Sequence, residues 1–183
     1  WRHVYRVSRD SARFTPLTPG EYDVASQAAV DTAGGWLYYI ASPANPTQRY
    51  LFRTRLDGSG APEQVSPAEA AGLHGYNVAP NARAALHTYS KFGTPPVTEL
   101  VRLPEHRVLR TLVANTQLKA RVEALQRGPA EFFQVDIGDG VALNGWIMKP
   151  ADWSPDRKYP IFFTNYGGPG SQTVLDSWGG ANY

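Results

Sequence analysis

Over its first two thirds the chain alternates apolar and polar positions in short bursts punctuated by turn residues. Val30-Asp31-Thr32-Ala33-Gly34-Gly35-Trp36-Leu37-Tyr38-Tyr39 reads as a strand end, a polar turn and a second strand. Val78-Ala79-Pro80-Asn81-Ala82-Arg83-Ala84-Ala85-Leu86-His87 repeats that order 48 residues later. Tyr5-Arg6-Val7-Ser8, Phe52-Arg53-Thr54-Arg55 and Leu100-Val101-Arg102-Leu103 each run into a polar turn. Short outer strands are then expected at Leu17-Thr18, Val65-Ser66 and Leu112-Val113, spaced by 48 and 47 residues. Arg53 and Arg55 alternate with Phe52, Thr54 and Leu56, which predicts a strand with one wet face, and Asp57-Gly58 is a turn signal. A period of roughly 40–50 residues with about four strands per unit is the signature of β-propeller blades. A β-sandwich with evenly spaced strands is the alternative. Two blades and a partial one do not close a ring, so the propeller reading expects further blades before Trp1.

The strand rhythm breaks near Asn115. Leu118, Val122 and Leu125 form one apolar stripe, predicting a helix from Asn115, as side-chain N-cap, to about Gln126. Gly128-Pro129 supplies the stop signal. Lys119, Arg121 and Arg127 read as its solvated face. Beyond it, 132–137 and 141–148 are two strands joined by Gly138-Asp139-Gly140, a hairpin. After a polar loop, Tyr159-Pro160-Ile161-Phe162-Phe163-Thr164-Asn165-Tyr166 is almost continuously apolar, as expected for a strand buried on both faces of an α/β sheet. The chain therefore divides into residues 1–128, the C-terminal blades of a propeller with a linker helix, and 129–183, the N-terminal part of an α/β domain. The expected fold class is mostly β, with propeller blades followed by the first strands of that domain.

Composition narrows the function classes. The 183 residues include 42% hydrophobic and 19% charged positions, normal for a globular chain. Ten Tyr, five Trp, 17 Gly and 15 Pro favour short strands and tight turns. A net charge of +2, with scattered basic residues, speaks against a nucleic-acid partner. The absence of Cys excludes disulfides, thiolate metal sites and a cysteine nucleophile within these residues. No apolar run approaches ~20 residues, so no membrane span is expected in this segment. His3, His74, His87 and His106 show no metal-ligand spacing and read as strand or turn residues, so no metal and no cofactor is expected. Trp36, Trp146 and Trp178 read as core or interface aromatics, and Asp139 as a turn residue.

The candidate chemistry lies in Tyr166-Gly167-Gly168-Pro169-Gly170-Ser171-Gln172. A phosphate loop would carry G-x-x-x-x-G-K-[ST] and a dinucleotide loop G-x-G-x-x-G; this stretch fits neither, and Pro169 removes a backbone donor. Ser171 lacks the flanking glycines of a G-x-S-x-G nucleophile elbow, as does every other serine. Asp176 precedes any elbow, so it does not fit the chain order of a triad acid. What remains is an oxyanion site, in which glycines let the backbone approach a substrate carbonyl and Tyr166 offers a neutral O–H donor. From spacing alone, a buried strand-end role for Tyr166 stands equally beside it.

The Y-G-G-P-G-S-Q stretch after K-Y-P-I-F-F resembles the dipeptidyl peptidase IV branch of the prolyl oligopeptidase superfamily. Trp1-Arg2-His3, V-L-R-T-L-V-A-N at 108–115 and N-G-W-I-M-K-P at 144–150 are similar to its bacterial members. The likeness spans essentially the whole chain, specific in the last fifty residues and diffuse in the repeats. It implies an eight-bladed propeller joined to an α/β-hydrolase domain that removes N-terminal dipeptides, Xaa-Pro or Xaa-Ala, through a Ser-His-Asp triad. The family's oxyanion tyrosine falls on Tyr166. Its nucleophile elbow, triad Asp and triad His would lie beyond Tyr183, and its acidic pair for the substrate amino group before Trp1. The implied partner is a peptide with a free N-terminus, bound by the parent enzyme, and the isolated segment is expected to be inactive. The alternatives are a non-catalytic propeller-like interaction module and another prolyl-oligopeptidase-type serine peptidase. Open strand edges leave room for a homo-oligomer. The compartment is not determined; for a bacterial protein the periplasm is favoured over the cytoplasm.

Overall fold

The computed structural model describes residues 1–165, 167–168 and 172–179. Its strands are β1 (Tyr5–Val7), β2 (Phe14–Pro16), β3 (Val24–Asp31), β4 (Trp36–Ala41), β5 (Tyr50–Arg55), β6 (Glu63–Gln64), β7 (Leu73–Val78), β8 (Ala84–Lys91), β9 (Thr94–Arg102) and β10 (Arg107–Val113). A helix α1 (Thr116–Glu123) and strands β11 (Ala130–Asp136) and β12 (Ala142–Met148) follow. The architecture is mostly β. β3-β4-β5-β6 and β7-β8-β9-β10 are two four-stranded antiparallel meanders, and β1-β2 and β11-β12 are two-stranded. The expected repeat is thus present, with β3-β4 and β7-β8 as its equivalent hairpins.

Period-2 geometry sends successive side chains of a strand to opposite faces. In β4 this splits the apolar run W-L-Y-Y-I-A between two cores. Leu37, Tyr39 and Ala41 join Leu17, Val24 and Phe52, with Val4, Tyr22, Tyr50 and Leu56 packed around them. Tyr38 and Ile40 join Leu51, Val65, Ala82, Ala85, Val101 and Leu103 against the second meander. A strand covered on both faces has no polar positions to show, which explains the lost alternation. On β5, Arg53 and Arg55 flank the Trp36 ring at 4.0 and 3.9 Å, so the wet face carries a cation–π stack.

Of the three expected outer strands, Leu112-Val113 lies in β10 as expected, and the other two differ. β2 and β6 end before Leu17-Thr18 and Val65-Ser66, which turn inward and are buried. Leu17 N–H donates to Val4 O at 2.9 Å, and Val65 N–H to Leu51 O at 2.8 Å. The hydroxyls then accept in return: Thr18 Oγ1 from Val4 N–H at 2.9 Å, Ser66 Oγ from Leu51 N–H at 2.7 Å. A backbone N–H facing a core needs an acceptor, and the repeated hydroxyl provides it.

The helix is shorter than the apolar stripe implies. Asn115 does not cap it with its side chain; the residue sits at φ 52°, its carbonyl accepts from Lys119 N–H, and its Nδ2 donates to Pro96 O of β9 at 2.7 Å. The side chain is committed to the sheet, which removes it from the first turn. Of the stripe only Val122 is buried; Leu118 and Leu125 stay exposed. The hairpin around Gly138-Asp139-Gly140 forms as expected, with Phe133 opposite Gly145. A Cβ on Gly145 would lie 2.5 Å from the Phe133 ring, so only glycine lets that ring cross the strand.

Residues 159–165 are a correction. They form no strand, and Ile161, Phe162 and Phe163 are 68%, 90% and 82% exposed. A doubly buried strand needs neighbours on both edges and a layer on each face. The described residues supply neither.

Candidate functional site

Chain direction sorts the connections of the two meanders into two ends. The β4–β5 connection (42–49), the β6–β7 connection (65–72) and the tight β8–β9 turn at Phe92-Gly93 share one end. The segment following the glycine-rich loop, 172–179, lies across it. Asp176 N–H donates to Thr47 O at 2.7 Å. Its Oδ1 accepts from Phe92 N–H at 2.8 Å and its Oδ2 from Gln48 Nε2 at 3.5 Å. Trp178 N–H donates to Ser90 Oγ at 3.3 Å. A carboxylate suits this place because it only accepts, through two oxygens, and can serve two donors from different loops.

Phe92 meets the β11–β12 hairpin as well. Its ring stands edge-on to Phe132 at 5.6 Å and tilted against Trp146 at 5.3 Å. One turn residue therefore receives the hairpin through its ring and the 172–179 segment through its backbone. Gln172 borders a cavity of about 480 Å³ at the same end, with Arg2, Glu21, Tyr22, Asp23 and Arg49 in its wall. The lining offers both charge signs. Arg2 N–H donates to Asp23 Oδ1, and Arg49 donates to Pro46 O and Gln48 O. Burial lowers the Arg49 pKa, and Asp23 opposes that shift.

Tyr166, the residue singled out for oxyanion chemistry, lies outside the described residues, as do Pro169, Gly170 and Ser171. Asp176 was legible only as a residue out of order for a triad. Its donors Phe92 and Gln48 stand 84 and 128 positions away, and nothing in local spacing links them.

Three of the four histidines read from sequence as unrelated, His74, His87 and His106, come together between the two meanders, while His3 lies beside Thr18 and Tyr22. His74 Nε2 faces Ala70 O at 2.7 Å, so Nε2 carries the proton and Nδ1 accepts. His87 Nε2 lies 2.9 Å from that Nδ1 and must donate to it. His87 Nδ1 is then left as a lone pair, buried without a hydrogen bond and 3.5 Å from Glu99 Oε2. His106 stands perpendicular to His87 at 4.6 Å. Tyr50, Tyr76 and Tyr89 enclose the cluster through ring contacts. Burial, and then the neighbouring His106 and His74, push the His87 pKa down to about 3; burial also lowers His74 and His106. These forces outweigh the attraction of Glu99. Among the described residues no three His, Cys, Asp or Glu side chains converge as metal ligands. Among them, too, no helix is long and apolar enough to cross a membrane.

Comparison with known proteins places this geometry. Residues 1–96 match the family described as the dipeptidyl peptidase IV (DPP IV) N-terminal region. A protein of Emericella nidulans named "Probable dipeptidyl peptidase 4" is 31% identical over 180 residues, 97% of this chain and 23% of its own length. Dipeptidyl peptidase 4 of Trichophyton equinum is 28% identical over 185 residues, 100% of this chain and 24% of its own. The crystal structure of Porphyromonas gingivalis dipeptidyl peptidase 4 superposes with a TM-score of 0.84 at 30% identity, covering 96% of this chain and 24% of that one. The chain thus spans about a quarter of the length of the relatives it matches. With more than half of its residues matched by the family model, the chain belongs to the dipeptidyl peptidase IV family.

Proposed function

We propose that this chain is an internal segment of a serine exopeptidase that releases Xaa-Pro and Xaa-Ala dipeptides from peptide N-termini. Residues 1–128 supply the last propeller blades and the linker helix, and 129–183 the first strands of an α/β-hydrolase domain. The observation that carries this reading is the seating of 172–179, which starts at the final Gln of Y-G-G-P-G-S-Q, on the turn end of two blade-like meanders in a dipeptidyl peptidase IV family chain. Asp176, four residues past that motif, is thereby held at the turn end of both meanders.

In this mechanism a serine elsewhere in the parent attacks the scissile carbonyl with a histidine as general base. Negative charge develops on the carbonyl oxygen. The Tyr166 O–H, neutral at pH 7, donates to that oxygen more strongly in the transition state than in the ground state. The triad and the residues that read the substrate amino group belong to the rest of the parent, so the 183-residue chain alone is inactive.

The test is Tyr166→Phe in the full-length protein with a Gly-Pro chromogenic substrate. Loss of one oxyanion donor costs about 3–4 kcal/mol, so kcat falls roughly 10²–10³-fold with KM nearly unchanged. A fully active Tyr166→Phe enzyme eliminates the oxyanion assignment. A full-length protein that releases no dipeptides from peptide N-termini eliminates the enzyme reading in favour of a binding module.

A further inference from the structure

We propose that Asp176 is a positioning residue for the reaction: it ties the segment carrying the oxyanion loop to two successive propeller blades at once. This rests on the reading of Tyr166 as oxyanion donor. Asp176 makes three polar contacts to the blades, and they go to two different meanders. Thr47 O and Gln48 Nε2 belong to the β4–β5 connection, and Phe92 N–H to the β8–β9 turn. Trp178 N–H, two residues on, adds Ser90 Oγ at the end of β8. A backbone segment held at consecutive points by two loops loses translation and twist together, and one contact alone would leave a hinge.

The choice of residue is chemically specific. Two of the three contacts use the carboxylate as a double acceptor, and the third uses the residue's own N–H. Asparagine would keep one acceptor but turn an N–H₂ donor toward one of the two donors. Alanine would keep only the backbone bond. Asp176 is half-buried, where a charge-assisted bond is stronger than in bulk water. Tyr50 and Tyr89, whose hydroxyl pKa values are raised first by burial and then by Asp176, bring no positive charge that would pull the carboxylate elsewhere.

Asp176 stands ten positions after Tyr166, on the chain that leaves the loop. Small errors in the placement of a catalytic donor are costly: a displacement of about 1 Å lowers rates by up to ~100-fold. The tie therefore acts on kcat through Tyr166 and leaves substrate binding largely alone.

The experiment uses the full-length protein and four forms: wild type, Asp176→Ala, Tyr166→Phe and the double variant, with Asp176→Asn as the milder change. Expected are a fall in kcat of ~10–100-fold for Asp176→Ala with KM within about twofold, and a smaller fall for Asp176→Asn. Because Asp176 acts through Tyr166, the double variant should be no slower than Tyr166→Phe alone, to within about twofold. Additive losses, or an Asp176→Asn and Asp176→Ala pair with wild-type kcat beside a crippled Tyr166→Phe, would overturn the proposal while the oxyanion reading stands. An active Tyr166→Phe enzyme would instead remove the reading beneath it. If Asp176→Ala fails to fold, the Asp176→Asn comparison, with thermal melting as the folding control, decides by the same criteria.

Discussion

The Nε2–H of His87 donates to Nδ1 of His74 across 2.9 Å, inside the core between two four-stranded meanders. The bond requires His74 to be neutral with its proton on Nε2, because that nitrogen already donates to Ala70 O, and burial keeps His87 neutral with its proton on Nε2.

A pH dependence of stability follows. The folded His87 holds its proton only below about pH 3, against 6.5 for the free side chain. His74 and His106 shift the same way, and Glu69, Glu99, Tyr50, Tyr76 and Tyr89 are the other titratable groups around the cluster. The unfolded chain therefore takes up protons that the folded chain refuses. Stability is complete above pH 6.5 and falls as pH drops toward 3. His87 alone should withdraw about 2–3 kcal/mol between pH 6.5 and 4.5. Thermal melting across that range checks it, with His87→Gln expected to flatten the slope. An identical slope in the variant would remove His87 from the account.

Ser66 and Thr18 perform one task at equivalent places in the repeat, so their loss should look alike. Ser66→Ala strands the buried Leu51 N–H and takes a partner from the Tyr76 hydroxyl, 2.9 Å away. The expected loss is about 1–3 kcal/mol. Thr18→Val strands Val4 N–H in the same way and should cost somewhat less, Val4 being less buried. Urea denaturation measures both, as a fall in midpoint at constant slope.

Gly72 joins the meanders. Its carbonyl accepts from Arg49 N–H at 3.1 Å, beside the parallel bridge between Arg49 and Leu73. It sits at φ 145°, and a Cβ there would lie 2.5 Å from Ser90 O. Gly72→Ala combines strain with a backbone clash and should cost ~1–3 kcal/mol. Gly60→Ala is the control: φ is 72° but no atom lies within 4 Å of the added Cβ, so a smaller loss of about 1 kcal/mol is expected. Equal losses would mean that the clash at Gly72 relaxes freely.

Much of the fold was legible in the residues. The 48-residue offset located the equivalent hairpins β3-β4 and β7-β8, and Gly138-Asp139-Gly140 located the β11-β12 turn, because turn chemistry and period-2 alternation are local properties. The helix N-terminus misled, since Asn115 had a better acceptor in Pro96 O than any first-turn amide offered as donor. The apolar run at 159–165 misled for a different reason: apolarity states that a strand expects cover, and cover comes from elsewhere in a chain.

Sequence by itself determined the rhythm, the turns, the count of strands per unit and the family resemblance. Tertiary structure decided which residues meet. It brought His106 and Glu99 against the buried pair His74 and His87, gave β4 two cores, and set the Asp176 carboxylate on the Phe92 amide 84 positions earlier. Such contacts carry no periodic signature. They arise when whole sheets stack, and the stacking energy of many apolar side chains determines where a few polar ones are placed.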